Sequence, residues 1–444
     1  MHGYGGDAHA FDTWRALLKP HGIDAFHVVQ YRVDSNEVDL DDLAEALERT
    51  VRAQPKLNAA RRLHVLVHST GMLILLAWLA RHPQRANALD WVIALAPASH
   101  GSPLAHLGRG MLAALWNGTL TPGPDLLEGG DRLLRALELA SPDVDPFQRE
   151  PPPLDPARLL VASGTRGYTF PRSALHEEGT DGVVRLAGAH PFPIQLDADL
   201  TRTPRFTPRL RHHDPWARAR HALPLLPLPN HHHGTVLTDP PRGLGHVVAN
   251  ALSGRWTQAR VARRVQQLAT LAARAADPDA IGWTQLIVRV EDERGDPVPD
   301  YYVDLLVRDE EARSTQRTED VPWRSIAERH PDLPIRVHVY QGDRSRRCFH
   351  LGLSRLRRNQ GRAPHLAVRI AARTGSRLVG YRGHHDSLPS RDPRDPNLWT
   401  ATLDLTPALH ATRALTPGTT THLRIRLDRE PLPFEGPTAL ARLP

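Results

Sequence analysis

Apolar and polar positions in the first half of this chain alternate between two periods. Residues 25–33, "AFHVVQYRV", form a β-branched and aromatic run suited to a strand. "DLDDLAEALERTVRAQ" (39–54) then carries acids at its start and apolar residues at helical spacing. "LHVLV" (63–67) predicts a second strand and "GMLILLAWLARH" (71–82) a helix. "DWVIALAPA" (90–98) predicts a third strand and "ARLLVASGT" (157–165) a fourth, with helical pieces "LGRGMLAALWNG" and "GGDRLLRALELA" between them. Strands rich in Val, Ile and Leu, separated by helices, predict a parallel sheet covered on both faces.

From Arg185 to His233 the periodicity weakens and Pro, Arg and His dominate, as in an irregular surface region or flap. "RWTQARVARRVQQLATLAARAAD" (255–277) then reads as one long helix closing the first domain. After Pro278 the pattern changes to short alternating strands: "TQLIVRVED", "DYYVDLLVRD", "IRVHVYQ", "HLAVRIAAR" and "THLRIRLDR". "DERGDPVPD" supplies hairpin chemistry between the first two. The expected division is an α/β domain over residues 1–275, with a helical cap around 101–150, and an antiparallel β-sandwich accessory domain over 280–444.

Composition narrows this picture without changing it. The 444 residues suffice for two domains with real cores, and 40% hydrophobic with 24% charged residues is ordinary for a globular protein. The net charge of +7 is nearly all arginine, since Lys19 and Lys56 are the only lysines. No dense basic block interleaved with aromatics occurs, which argues against nucleic-acid binding. Excess positive charge leaves peripheral contact with an anionic membrane surface open. Cys348 is the sole cysteine, so no intramolecular disulfide forms, which fits a reducing compartment. The apolar run Met72 to Ala80 is too short to span a bilayer, and no signal peptide is visible. The expected location is cytoplasmic, or secreted by a route without a visible signal.

The chemistry starts at "VHSTG". Ser69 stands where an apolar strand turns into a helix, as in a nucleophile elbow, with Gly71 two residues on but Val67 in place of the preceding glycine. By itself the stretch equally describes a strand-to-helix loop with a capping serine. Three further stretches carry the same chemistry. "MHGYGGDAHAFDTW" opens the chain with His-Gly-x-Gly-Gly. "HEEGTDGVVRLAGAH" follows the fourth strand and offers Asp181, with Glu177 and Glu178 as solvated loop acids; Asp-Gly is also a common turn pair. "LPNHHHGTVLTDP" supplies histidines after that acid, which also read as a metal-binding or solvated tract with His212, His213 and Asp214.

Taken together, these pieces resemble the α/β-hydrolase family, in its lipase and carboxylesterase branch, over roughly residues 1 to 275. The segment "LAPASHGSPLAHLGRG" adds to the likeness. The resemblance implies an α/β-hydrolase parallel sheet with helices on both faces. It also implies Ser69 as nucleophile, His233 as general base and acid (His232 as the fallback), and Asp181 as its orienter. The backbone N–H groups of Tyr4 and Thr70 would form the oxyanion hole. It implies no cofactor and a carboxylic-ester substrate. Lipid esters are favoured because Leu104 to Leu139 places Leu, Met and Trp where a lid or acyl groove would sit. The family's strands before the His-Gly loop have no counterpart ahead of His2, so the chain is expected to start upstream of Met1. Val67 and that abrupt start also support another reading, a non-catalytic binding or scaffolding protein on a decayed hydrolase fold.

Overall fold

In the computed structural model the described residues are 1–3, 8–31, 35–105, 130–150, 153–168, 177–201, 210–213, 223–308, 322–353, 365–373, 379–382, 399–412 and 414–431. They divide into two compact units. One comprises Met1–Pro193, Pro215–Trp283 and Pro417–Thr420, and the other Ile194–Asp214, Thr284–Thr416 and Thr421–Pro444.

The first unit is built on four parallel strands in the order β1 (Leu63–His68), β2 (Leu89–Leu95), β3 (Leu159–Gly164) and β4 (Leu226–Leu228). Alternation along each strand sends neighbouring side chains to opposite faces. Val67, Val92, Ala94 and Val161 join one core, while Leu66, Ile93, Leu95 and Leu160 join another. Helix α1 (Asp12–Leu18) covers the second core through Trp14 and Leu18. Helix α2 (Leu40–Ala53) covers the first core with Leu43, Leu47 and Val51. It begins with a capping box in which Asp39 and Asp42 each accept the other's backbone N–H. Helix α3 (Gly71–Arg81) is apolar all round and buried from Gly71 to Leu79, as a helix between sheet and helix must be. Helices α4 (Arg242–Leu252) and α5 (Gln258–Ala275) complete the second face through Val247, Val248, Val261 and Val265.

The run 25–33 is not a ladder strand where it is described, to Tyr31. β-branched residues favour extended backbone, but a strand exists only when a neighbour takes up its hydrogen bonds. About half of the expected helical cap, residues 106–129, lies outside the described residues, and the described part beyond it includes a helix over Asp131–Leu137.

The second unit is a sandwich of two sheets around one core. Its larger sheet runs in the order Ile335–Val339, Arg346–Gly352, Trp283–Asp292, Thr420–Pro431, Ile194–Asp199, Leu210–His213, and Val379–Arg382 pairs with Thr420–Pro431. The other sheet has the order Trp399–Asp404, Leu366–Ala372, Tyr301–Arg308, Trp323–Ser325, all antiparallel. Leu286, Val288 and Ile425 from the first meet Val303, Leu305 and Val368 from the second. Two features differ from the expected antiparallel sandwich over 280–444. Ile194–Asp214 groups with this unit rather than with the α/β unit. Ile194–Asp199 also pairs with Thr420–Pro431 in parallel. No helix among the described residues is long and apolar enough to cross a membrane.

Candidate active site

Every strand of a parallel sheet ends at the same edge, so the loops after β1, β3 and β4 gather there. β1 ends at His68, and Ser69 follows with φ at 54°, in the left-handed region. A side chain there is strained, and the surroundings must hold it. The Ser69 N–H donates to the Leu95 carbonyl at 3.2 Å, and the Ser69 carbonyl accepts from Met72 N–H at 3.2 Å and Ala98 N–H at 3.1 Å. Thr70 stands at the N-cap position of α3 without a side-chain capping bond. Val67, in the place of the elbow's first glycine, is packed in the core.

Two glycines let the amino-terminal stretch lie against this turn. A Cβ on Gly71 would stand 3.0 Å from the Met1 carbonyl oxygen and 3.1 Å from that of His2. A Cβ on Gly3 would stand 2.6 Å from Ser69 Cβ and 3.2 Å from its Oγ. Met1 runs beside β1: its nitrogen donates to the Leu66 carbonyl at 2.8 Å, and its carbonyl accepts from His68 N–H at 3.1 Å. The buried His2 ring stacks on Tyr31 with centroids 4.8 Å apart. Its Nε2 accepts from Tyr31 N–H at 3.3 Å, so Nδ1 carries the proton and donates to the Gly3 carbonyl at 2.7 Å. Tyr4, the expected oxyanion donor on this loop, lies outside the described residues.

Asp181 and His233 meet on the loops after β3 and β4. The His233 Nδ1 lies 2.8 Å from Asp181 Oδ2, and both side chains are fully buried. The other carboxylate oxygen, Oδ1, accepts the N–H groups of Val183 at 3.0 Å and Val184 at 2.8 Å. These bonds hold the carboxylate in one orientation. The two backbones are joined as well, His233 N–H donating to the Asp181 carbonyl at 2.9 Å. Gly164, at the end of β3, permits this convergence, because a Cβ there would lie 2.2 Å from the His231 carbonyl oxygen. The Asp-Gly pair is also a turn, with Gly182 at φ 97°.

His232 is placed elsewhere. Its ring lies 4.5 Å from that of Tyr168, and its Nδ1 accepts from Gly234 N–H at 3.2 Å. Glu177, expected to be a solvated loop acid, instead pairs with the buried Arg185 at 3.0 Å. Its charge is thereby neutralised within the protein. One side chain that sequence reasoning left without a role is His68. Its Nε2 lies 3.1 Å from the His233 carbonyl oxygen, and the two rings lie 4.6 Å apart at a tilt of 51°. Burial drives this imidazole well below its ordinary pKa, and the neighbouring His233 adds to the effect. The only sequence signal was its position before Ser69.

No protein-family model and no curated protein matches the sequence. Among solved structures, the chain is similar to phospholipase PlaB from Legionella pneumophila. The TM-score is 0.73 at 17% identity, over 100% of this chain and 96% of that one. The same phospholipase in complex with thio-NAD gives a TM-score of 0.71 at 18% identity with the same coverage. At such identity the likeness is one of fold, and it extends over both units.

Proposed function

Starting from the α/β-hydrolase, lipase-like fold of this chain, we propose that it is a serine hydrolase of carboxylic esters, with lipid esters as its substrates. The observation that carries the reading is the buried 2.8 Å pair of His233 Nδ1 and Asp181, on loops of the sheet edge where Ser69 occupies its strained turn. Strain persists in a fold only where the surroundings over-determine it, and such places cluster at reacting groups.

In this mechanism Ser69 Oγ attacks the acyl carbonyl carbon while His233 Nε2 takes the hydroxyl proton. Asp181 keeps the proton on Nδ1 and stabilises the imidazolium that forms. Backbone N–H groups of Thr70 and Tyr4 receive the negative charge that develops on the carbonyl oxygen. His233 returns its proton to the departing alcohol, leaving the acyl group on Ser69. Water, deprotonated by the same imidazole, then releases the acid. The preference for lipid esters is supported by the apolar segment from Leu104 to Leu139 and by the full-length fold likeness to a phospholipase.

A fluorophosphonate probe tests the reading, because it labels only an activated serine. Labelling at Ser69, with loss of both labelling and p-nitrophenyl ester turnover in Ser69→Ala, is the expected result. Turnover by Ser69→Ala equal to that of the unmodified protein overturns it. Short-chain against long-chain esters, and then phospholipid vesicles, test the substrate class.

A further inference from the structure

We propose that His68 is a positioning residue for His233, joining the backbone of the nucleophile to that of the base through one side chain. The inference rests on the serine-hydrolase reading and adds a residue to it. A carbonyl oxygen can only accept a hydrogen bond, so the 3.1 Å contact requires His68 Nε2 to carry the proton and donate. His233 is then gripped at three atoms. Its N–H donates to the Asp181 carbonyl at 2.9 Å, its carbonyl accepts from His68, and its Nδ1 is tied to Asp181 Oδ2 at 2.8 Å. The His68 ring also packs on the His233 ring, with centroids 4.6 Å apart, which limits rotation of the imidazole about its own χ angles.

The position in the chain makes this grip matter. His68 is the last residue of β1 and is bonded directly to Ser69. A shift of the strand end therefore moves nucleophile and base together, and their separation is preserved. The burial of His68 has a second consequence. An imidazole held neutral puts no positive charge beside His233 when that ring becomes an imidazolium, whereas a solvated histidine at this place would oppose the proton transfer. The side chain thus needs a donor N–H, a flat ring and no charge, which histidine supplies in its buried neutral form.

The test compares His68→Gln with His68→Met, two side chains of similar length of which only Gln can donate to the carbonyl. For a soluble p-nitrophenyl ester, His68→Met is expected to lower kcat by about 10- to 100-fold, the scale of a small misplacement of a reacting group. Its KM should stay unchanged. His68→Gln should retain most of the kcat. Both should melt close to the unmodified protein. Equal kcat in the two variants, a loss confined to KM, or failure of both to fold overturns the proposal. The two readings fail separately. An unmodified protein whose Ser69 resists the fluorophosphonate defeats the hydrolase, and a labelled one with indistinguishable variants defeats only the role of His68.

Discussion

Two of the carboxylates that the α/β unit buries, Glu48 and Asp181, are held in opposite ways. Glu48, on α2, is 2% exposed. Its Oε1 accepts from Arg52 at 2.7 Å and Arg85 at 2.7 Å, and its Oε2 accepts from the Trp78 indole at 2.8 Å. Burial alone would push this carboxyl up, yet the bonds from Arg85, Trp78 and Arg52 outweigh it and hold the pKa at about 2. The carboxylate itself sits within a regular helix, and two cations neutralise it. Asp181 has instead two backbone N–H groups, the Ser163 hydroxyl and one imidazole, on a loop that needs Gly182 at φ 97°. Beside it stands Gly164, against which the His231 backbone presses, and Ser69 at φ 54° follows β1 of the same sheet. Buried charge alone therefore marks a structural tie. Buried polarity combined with a left-handed side-chain residue and close backbone approach marks a place where the fold has accepted strain.

The most severe way to sharpen this contrast is Ser69→Gly. On the proposed mechanism it should lower ester turnover by several orders of magnitude, the scale of losing a nucleophile. Thermal unfolding should meanwhile show a gain of up to about 1 kcal/mol, since glycine adopts the left-handed turn without a Cβ penalty. A variant that melts markedly lower than the unmodified protein would mean the turn is not strained. Next comes Gly3→Ala, whose Cβ would collide with Ser69 Cβ at 2.6 Å and crowd His68 Nδ1 at 3.1 Å. An expected loss of about 100-fold in kcat, from displacement of the loop or the serine, is read by steady-state kinetics. Full activity would remove the amino-terminal loop from the site.

The smallest effect on activity belongs to Glu48→Gln. It leaves Arg85 and Arg52 without their buried counter-charge and should cost about 2–3 kcal/mol of stability by chemical denaturation. The kcat of the folded fraction should not change. The pH dependence has a fixed sign. The carboxyl is held low in the folded state, so its contribution is full above the ordinary value of 4.5 and fades as pH falls from there toward about 2. The stability gap between the unmodified protein and Glu48→Gln should therefore be widest above pH 5, by about that same rule, and shrink in acid. A gap that stays constant down to pH 2 or so would show that packing, and not charge, makes Glu48 matter.

Local pattern was enough for much of this molecule. The runs at 63–67, 90–98 and 157–165 are strands, and those at 39–54, 71–82 and 255–277 are helices, because side-chain periodicity is a property of neighbours in sequence. The serine elbow, the Asp-Gly turn and the histidine tract could be named for the same reason: each is a short motif. Tertiary structure decided whatever depended on distant partners. The run 25–33 has strand composition and no ladder where it is described, whereas Ile194–Asp199, in a stretch that reads as irregular, becomes a strand by pairing with Thr420–Pro431. Strands Arg346–Gly352 and Trp399–Asp404 also escaped the pattern and are identified by their neighbours in the sheets. The family resemblance favoured His233 over its neighbour His232, and it is the geometry of the loop that turns His233 to Asp181 while His232 packs on Tyr168. A loop's course is set by what its ends are anchored to and by which backbone a glycine such as Gly164 admits. Those are contacts between residues far apart in the chain, and no window of sequence contains them.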